Sequence, residues 1–204
     1  LLGVDAVTLD DARSARKAGR RVVLYAPTFR DARRGTWIID AGLQVLASEL
    51  ARLGDTLLVA MHPVEAQMIP QLQGAVPSAR FVTPRTDLYP LMREVDVLVT
   101  DYSSIMFDYL LLDRPVVLYR PDHEDYVQHS RQLHDEKLLR ARPGPITTNQ
   151  NQLLKVLKQR DANGDSHADD RAALRKALFD HEDGRSSERL NALLLDELQL
   201  ALGA

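Results

Sequence analysis

The sequence predicts an α/β fold in which a mainly parallel, doubly wound sheet is covered by helices on both faces. Short runs rich in Val and Leu alternate along the chain with longer segments of helical period. Most of these runs lack apolar–polar alternation, so we expect both faces of the strands to be covered, as in a parallel sheet. Polar residues also follow several runs directly, where a doubly wound sheet binds its ligands.

Six strands are predicted, each as a short β-branched or apolar run. The last of them is the weakest, because it is brief and lies next to two prolines. The predicted strands are RVVLYA (21–26), TLLVAM (56–61), RFVT (80–83), DVLVT (96–100), PVVLY (115–119) and PITT (145–148).

Helices are predicted between the strands and throughout the last part of the chain. The segment 41–54 repeats leucine at helical spacing and ends on a glycine, a common stop signal. Asp87 is placed to cap the next helix, and Ser103 or Ser104 the one after it. From about residue 149 the pattern is helical, interrupted by a polar segment at 161–170 that predicts a surface loop.

Composition excludes several classes of protein. Hydrophobic residues make up 45% of the 204 and charged residues 27%, which is ordinary for a globular protein with a substantial core. The net charge of -3 gives no strong field that favours nucleic acid, so we expect no nucleic-acid partner. With no cysteine, the chain has neither disulfides nor thiolate metal sites.

The stretch VLVTDYSSIMFDYLLL (97–112) places a carboxylate and two hydroxyls between an apolar strand and an apolar helix. Ser103 and Ser104 fall where a parallel sheet binds ligands, and free N–H groups at a helix start favour phosphate. The simpler interpretation is that one serine only caps the helix. Asp101 would repel a phosphate beside it, so we expect it to point away or to accept a hydrogen bond from a donor such as a hydroxyl.

Four further residues are candidates for the same edge of the sheet. His62 follows the second strand, where it can act as a general base or contact a phosphate, although a polar loop residue is the commoner case. Thr28 and Arg30 follow the first strand, and Arg85 follows the third. Arginine grips phosphate with two parallel hydrogen bonds. Arg33 and Arg34, close to Arg30, are better explained as a solvated loop.

Asp108 and the central histidines have less specific patterns. Asp108 lies one helical turn after Ser104 among apolar residues, so it needs a partner, either an arginine or a substrate hydroxyl. His123, His129 and His134 lie among carboxylates, but spacings of six and five residues fit neither one helix face nor a common zinc pattern. We therefore expect no metal site.

Several motifs together resemble the CDP-glycerol glycerophosphotransferase family, the teichoic-acid and capsule polymerases. The main likeness is TDYSSIMFDYLLLDRPVVLY (100–119). Other segments follow in the order that the family shows: RRVVLYAPTFRD (20–31), AMHP (60–63), DHEDY (122–126), PGPITT (143–148) and HEDGRSSERL (181–190). One departure is RQLHDEKLLRARPGP (131–145), which is more basic than in the family and lacks its aromatic residues, so the identity of the donated alcohol stays open.

The resemblance implies a fold and a function. Family members have two Rossmann-like domains facing a cleft, the GT-B arrangement, and this chain is similar to the C-terminal, donor-binding half. We therefore expect residues 1–19 to be a leading linker or helix from an upstream acceptor domain, and 20–204 to be the donor domain with helical C-terminal segments. The expected full-length protein is cytoplasmic and peripheral at the inner face of the cell membrane.

The implied reaction is the transfer of glycerol phosphate, or a related polyol phosphate, from a CDP-activated donor to the hydroxyl end of a polyol-phosphate or glycan acceptor, with release of CMP. No further cofactor is implied. The family motif makes His62 the catalytic candidate. The candidate substrate-binding residues are Thr28, Arg30, Arg85, Asp101, Ser103, Ser104 and Asp108.

Two other functions stay open from the residues. One is a GT-B glycosyltransferase that uses a nucleotide sugar, although Glu182 and Glu188 are one residue short of the acidic spacing typical of such donor halves. The other is a nucleotide-binding module without catalysis.

Overall fold

Six short strands, all parallel, form the centre of the structure, a computed structural model that describes residues 3–30, 37–129, 142–159 and 165–202. Their order across the sheet is β3-β2-β1-β4-β5-β6. The strands are β1 (Val22–Tyr25), β2 (Thr56–Val59), β3 (Ala79–Phe81), β4 (Val97–Thr100), β5 (Val116–Tyr119) and β6 (Ile146–Thr147). The predicted α/β class and all six strands are confirmed, each strand being one to two residues shorter than predicted.

Ten α-helices and one 3-10 helix, Pro63–Met68, surround the sheet in the described ranges. The α-helices are α1 (Ala6–Lys17), α2 (Trp37–Asp40), α3 (Leu43–Arg52), α4 (Ile69–Ala75), α5 (Tyr89–Met92), α6 (Ile105–Leu110), α7 (His123–His129), α8 (Gln150–Lys158), α9 (Ala168–Leu178) and α10 (Ser186–Leu202). The predicted loop at 161–170 is too long at its C-terminal end, because α9 already begins at Ala168 with acidic residues in its first turn, which favour a helix start.

Two hydrophobic cores lie on opposite faces of the sheet, because successive strand residues point to opposite sides. In β1, Val23 and Tyr25 join one core, while Val22 and Leu24 join the other. The first core is closed by residues of α2, α3 and α8, and the second by residues of α1, α5 and α6. Covering both faces explains why the strands read as continuous apolar runs.

Helix α1 belongs to the same packed unit as the sheet. Leu9, Ala12 and Ala15 are buried in the second core, and Asp5 caps the helix by accepting a hydrogen bond from the Thr8 N–H at 3.0 Å. A helix in the first nineteen residues was expected, but it packs on the domain instead of forming a separate leading segment. Its derivation from an upstream domain stays a prediction.

Helix α10 differs from the others in that its apolar residues are exposed. Leu190, Leu193, Leu194 and Leu198 are each more than half exposed, although they recur at helical spacing. In the described part of the chain, no helix combines the length and the apolar character needed to cross a bilayer.

Gly144 offers a direct test of how the β6 edge is packed. A Cβ atom added there would lie 1.7 Å from the carbonyl oxygen of Val116 in β5. We expect Gly144→Ala to lower the free energy of unfolding by at least the ~1–3 kcal/mol typical of overpacking, because backbone must move to admit the methyl group. Chemical denaturation followed by circular dichroism measures this change.

Gly74 in α4 is the matched control. A Cβ there meets no atom within 4 Å. Gly74→Ala should therefore leave stability unchanged or raise it by up to about 1 kcal/mol, since alanine is the better helix former. Equal effects of the two substitutions would contradict the packing described at Gly144.

Candidate functional site

The order of the strands defines a crevice between β1 and β4. The chain leaves β1 toward β2 on one side and leaves β4 toward β5 on the other, so the loops after these adjacent strands diverge. Such a switch point, at the carboxyl ends of the strands, is where open α/β sheets bind ligands. The loop after β1 carries Thr28 and Arg30, and the loop after β4 carries Asp101, Ser103 and Ser104.

Asp101 ties these two loops together. Its Oδ1 accepts hydrogen bonds from the backbone N–H and the hydroxyl of Thr28, both at 2.8 Å, and from the N–H of Tyr102 at 2.6 Å. The residue is only 1% exposed. The carboxylate thus accepts a hydrogen bond from a hydroxyl, which is one of the two arrangements that the sequence predicts for it beside a phosphate. Its bonds hold the loops after β1 and β4 together.

Arg30 is the cationic partner of Asp101. Its Nη2 lies 2.9 Å from Asp101 Oδ2, an ion pair outside hydrogen-bond geometry, and its Nε and Nη2 donate to the two oxygens of Asp122 at 2.8 and 2.9 Å. Nη1 donates to the Thr28 carbonyl at 2.6 Å. Burial alone would lower the pKa of Arg30, but the hydrogen bonds to Asp122 and the charge of Asp101 outweigh it, and the pKa is raised.

Aromatic rings enclose this ion cluster. The Arg30 Cζ lies 4.4 Å from the ring centroid of Trp37 and 4.6 Å from that of Tyr126. Tyr126 stacks on Tyr102 with centroids 4.0 Å apart and planes at 9°. The Tyr102 hydroxyl in turn lies 2.6 Å from Nδ1 of His123. Arg30 is therefore held by two carboxylates and several rings and is 4% exposed.

Ser103 and Ser104 lie at the start of α6, but neither side chain caps it. Ser104 occupies the N-cap position without a side-chain cap hydrogen bond, and Ser103 is only half-buried. Across the described ranges, neither hydroxyl has a hydrogen-bond partner within the protein. The simple capping interpretation is therefore not what the structure shows, and both hydroxyls remain available to a ligand. Because α6 has only six residues, its macrodipole is small, and an anion here would be bound mainly by the free N–H groups of the first turn.

His62 lies beyond β2 in an exposed position with one ring nitrogen engaged. Its Nδ1 accepts a hydrogen bond from the N–H of Val64 at 3.2 Å, and its ring packs on Phe29 with centroids 4.5 Å apart. Since neutral imidazole has one donor and one acceptor nitrogen, this bond places the proton on Nε2. The free edge of His62 is then a hydrogen-bond donor.

Within the described ranges, no hydrogen bond or ion pair joins Arg85 or Asp108 to Asp101 or Arg30. Arg85 is exposed and adopts φ 60°, a left-handed conformation that is uncommon for a residue other than glycine. The partner of Asp108 in the described ranges is Tyr89, not an arginine. The charge of Asp108, and a hydrogen bond to it, raise the pKa of Tyr89.

Four residues of the cluster were missed in the sequence: Trp37, Tyr102, Asp122 and Tyr126. Two signals were usable: Tyr102 stands inside the Asp-Tyr-Ser-Ser turn, and Asp122 and Tyr126 are the ends of the DHEDY segment that resembles the family. Among the described residues, no group of three histidine, aspartate or glutamate side chains is arranged to hold a metal ion. His134, Arg33 and Arg34 lie outside the described residues, as does most of the basic segment before Pro143.

Curated proteins similar to this chain include enzymes of teichoic acid synthesis. A teichoic acid glycerol-phosphate transferase of Staphylococcus aureus is 32% identical over 84% of this chain and 44% of its own length. A teichoic acid ribitol-phosphate primase of Bacillus spizizenii is 33% identical over 84% of this chain and 43% of its own length. The chain thus spans less than half the length of these two relatives.

Solved structures agree with the sequence relatives. A variant of the wall teichoic acid polymerase TagF superposes with a TM-score of 0.75 at 28% identity, over 98% of this chain and 50% of that one. A TagF variant soaked with CDPG gives a TM-score of 0.71 at 27% identity, over 98% and 48%. The family model described as CDP-glycerol:poly(glycerophosphate) glycerophosphotransferase matches residues 8–196. The chain belongs to this glycerophosphotransferase family.

Proposed function

We propose that this chain binds a CDP-activated polyol phosphate, within an enzyme that transfers glycerol phosphate or a related polyol phosphate to the hydroxyl end of a cell-surface polymer and releases CMP. Membership of the family supports the reaction. The observation that carries the assignment to this chain is the crevice between β1 and β4. There Thr28 and Asp101 fix the two loops, and the hydroxyls of Ser103 and Ser104 have no hydrogen-bond partner among the described residues.

In the proposed reaction, an oxygen of the acceptor hydroxyl attacks the β-phosphorus of the donor. A new P–O bond forms, the bond from that phosphorus to the bridging oxygen breaks, and CMP leaves with the electron pair. The acceptor hydroxyl loses its proton. Phosphoryl transfer depends on holding these groups in line and offsetting the charge that develops, more than on covalent chemistry. The hydroxyls and N–H groups around Ser103 supply donors for that purpose.

For His62, the hydrogen bond from Val64 favours one of the two roles considered. With Nδ1 occupied as an acceptor, Nε2 carries the proton and donates to a non-bridging phosphoryl oxygen. A general base would need Nε2 free of its proton, which requires moving the proton to Nδ1 and breaking this bond. We therefore propose that His62 is a hydrogen-bond donor to the donor phosphates, and that the proton acceptor for the hydroxyl lies elsewhere.

The remaining candidate residues have different roles in the proposed site. Arg30 engages Asp101 and Asp122 and is almost fully buried, so we assign it to positioning the loops and not to gripping phosphate. Asp101 has the same role. Thr28 lies at the crevice, and we propose that Arg85 and Asp108 contact the nucleoside or polyol part of the donor.

The acceptor site and membrane attachment belong to the whole protein. We propose that the acceptor-binding domain lies upstream and that the complete enzyme is peripheral at the inner face of the cell membrane. Incubating the full-length protein with CDP-glycerol, and separately with a nucleotide sugar, tests the reaction class. Release of CMP from CDP-glycerol supports the proposal. Nucleoside diphosphate released only from the sugar would overturn it, and no product from either would favour a binding module.

The serines provide a first quantitative test. Replacing Ser103 and Ser104 together by alanine should weaken CDP binding about tenfold or more, because hydrogen bonds to a charged group contribute roughly 1.5–3 kcal/mol each. Binding should not vanish, since the backbone N–H groups stay in place. Isothermal titration calorimetry on this chain measures the effect. Ser48→Ala is the control, because its hydroxyl bonds only to Gln44 within α3. Unchanged affinity of the double variant would refute the site.

The role of His62 is tested by comparing two substitutions in the full-length protein with a polymer primer. His62→Ala should reduce turnover by roughly 10²–10⁴-fold, the usual contribution of a positioned catalytic group. His62→Gln keeps an amide N–H near the position of Nε2 but cannot act as a base. If His62 donates to phosphate, the Gln variant should retain clearly more activity than the Ala variant. Equal losses in both variants would restore the general-base interpretation.

A further inference from the structure

Arg120 is a second buried arginine beside the crevice. It follows β5 directly, and its N–H donates to the Thr147 carbonyl at 2.8 Å. Its Nε donates to the Asp101 carbonyl at 3.2 Å, and its Cζ lies 4.8 Å from the ring centroid of Tyr102. The side chain is therefore in contact with the two residues that precede Ser103, and the residue is only 7% exposed.

Arg120, in contrast to Arg30, forms no ion pair with the residues that the structure describes. Within the described ranges, no carboxylate lies at ion-pair distance from it. The carboxylate of Asp101 faces Thr28 and Arg30, while only its backbone carbonyl accepts from Arg120. Burial lowers the pKa of Arg120, and the nearby Tyr102 and Asp101 offset this only in part.

A buried cation without an anion is costly, so its position needs an explanation. Desolvating a guanidinium costs several kcal/mol unless an opposite charge or enough hydrogen bonds compensate. Within the described ranges, one backbone carbonyl and one ring face are the partners of the guanidinium, so most of its five N–H donors have no acceptor there. An anionic ligand in the crevice would supply a direct ion-pair partner and the acceptors for these N–H groups.

We propose that Arg120 is a further binding residue of this site, whose guanidinium contacts a phosphate of a bound nucleoside diphosphate next to Ser103. This inference rests on the proposed function and adds to it the residue that supplies the positive charge. The two buried arginines of the crevice then have different roles. Arg30 pairs with Asp101 and Asp122 and holds the loops in position, whereas Arg120 pairs with the ligand.

The experiment is calorimetric titration of this chain with CDP and, separately, with inorganic pyrophosphate, which has no nucleoside to contact. Two neutral variants are used. Arg120→Met keeps the apolar bulk over Tyr102, and Arg120→Gln keeps an amide N–H for the Asp101 carbonyl. Arg80→Met is the control for charge, because Arg80 is exposed on β3 and pairs with Asp11 on the surface. Circular dichroism confirms that each variant is folded.

Both neutral variants should bind CDP about ten- to a hundredfold more weakly than the wild type, the loss expected for hydrogen bonds to a charged group. The affinity for pyrophosphate should fall by a similar factor, and the control should bind both ligands normally. If a folded neutral variant binds CDP as the wild type does, the role of Arg120 is overturned while the proposed donor site stands. If the wild type itself binds no CDP, both are overturned.

Discussion

The buried carboxylate of Asp101 is the interaction on which the geometry of the crevice depends. The strand order sends the loops after β1 and β4 apart, so backbone pairing alone does not fix them to each other. Asp101 joins them through the N–H and hydroxyl of Thr28 and through Arg30, which continues the connection to Asp122 in the loop after β5. One carboxylate and one guanidinium therefore set the relative positions of three loops, and removing Arg30 would leave the buried charge of Asp101 without its cation.

Fixing loops with a buried ionic cluster has a large desolvation cost. Replacing a buried ion pair by well-packed apolar residues is often neutral or stabilising, so the cluster is weak evidence for added stability. Its geometric effect is more specific, because a planar guanidinium with fixed donors admits few arrangements of its acceptors. The rings of Trp37, Tyr102 and Tyr126 restrict Arg30 further. The arrangement fits a site that must hold phosphates in line more closely than simple folding requires.

The sequence predicted the sheet well and the ion cluster poorly, for physical reasons. Strands buried on both faces leave a local signal, a run of apolar residues, which is why all six were found and only their ends differed. The loop position of Ser103 followed from the same local signal. The pairing of Arg30 with Asp101 and Asp122 joins residues 71 and 92 positions apart, and nothing in either neighbourhood specifies it. The sequence did indicate that Asp101 needed a donor, but it did not identify Thr28.

The two buried arginines of the crevice have separate effects at the same edge of the sheet: one fixes the loops, and the other is proposed to bind the ligand. A cation that is paired with carboxylates attracts a phosphate only weakly. A carboxylate without a cation beside it repels a phosphate. Arg30 offsets one of the two negative charges of Asp101 and Asp122, and the nearby guanidinium of Arg120 offsets the other, so these acids can lie close to a diphosphate. Among the described residues, the Arg120 guanidinium has the Asp101 carbonyl and the Tyr102 ring as its polar and aromatic partners, and it forms no ion pair. Arg30 thus fixes the loops through ion pairs with Asp101 and Asp122, while the guanidinium of Arg120 is left to contact a bound anion directly.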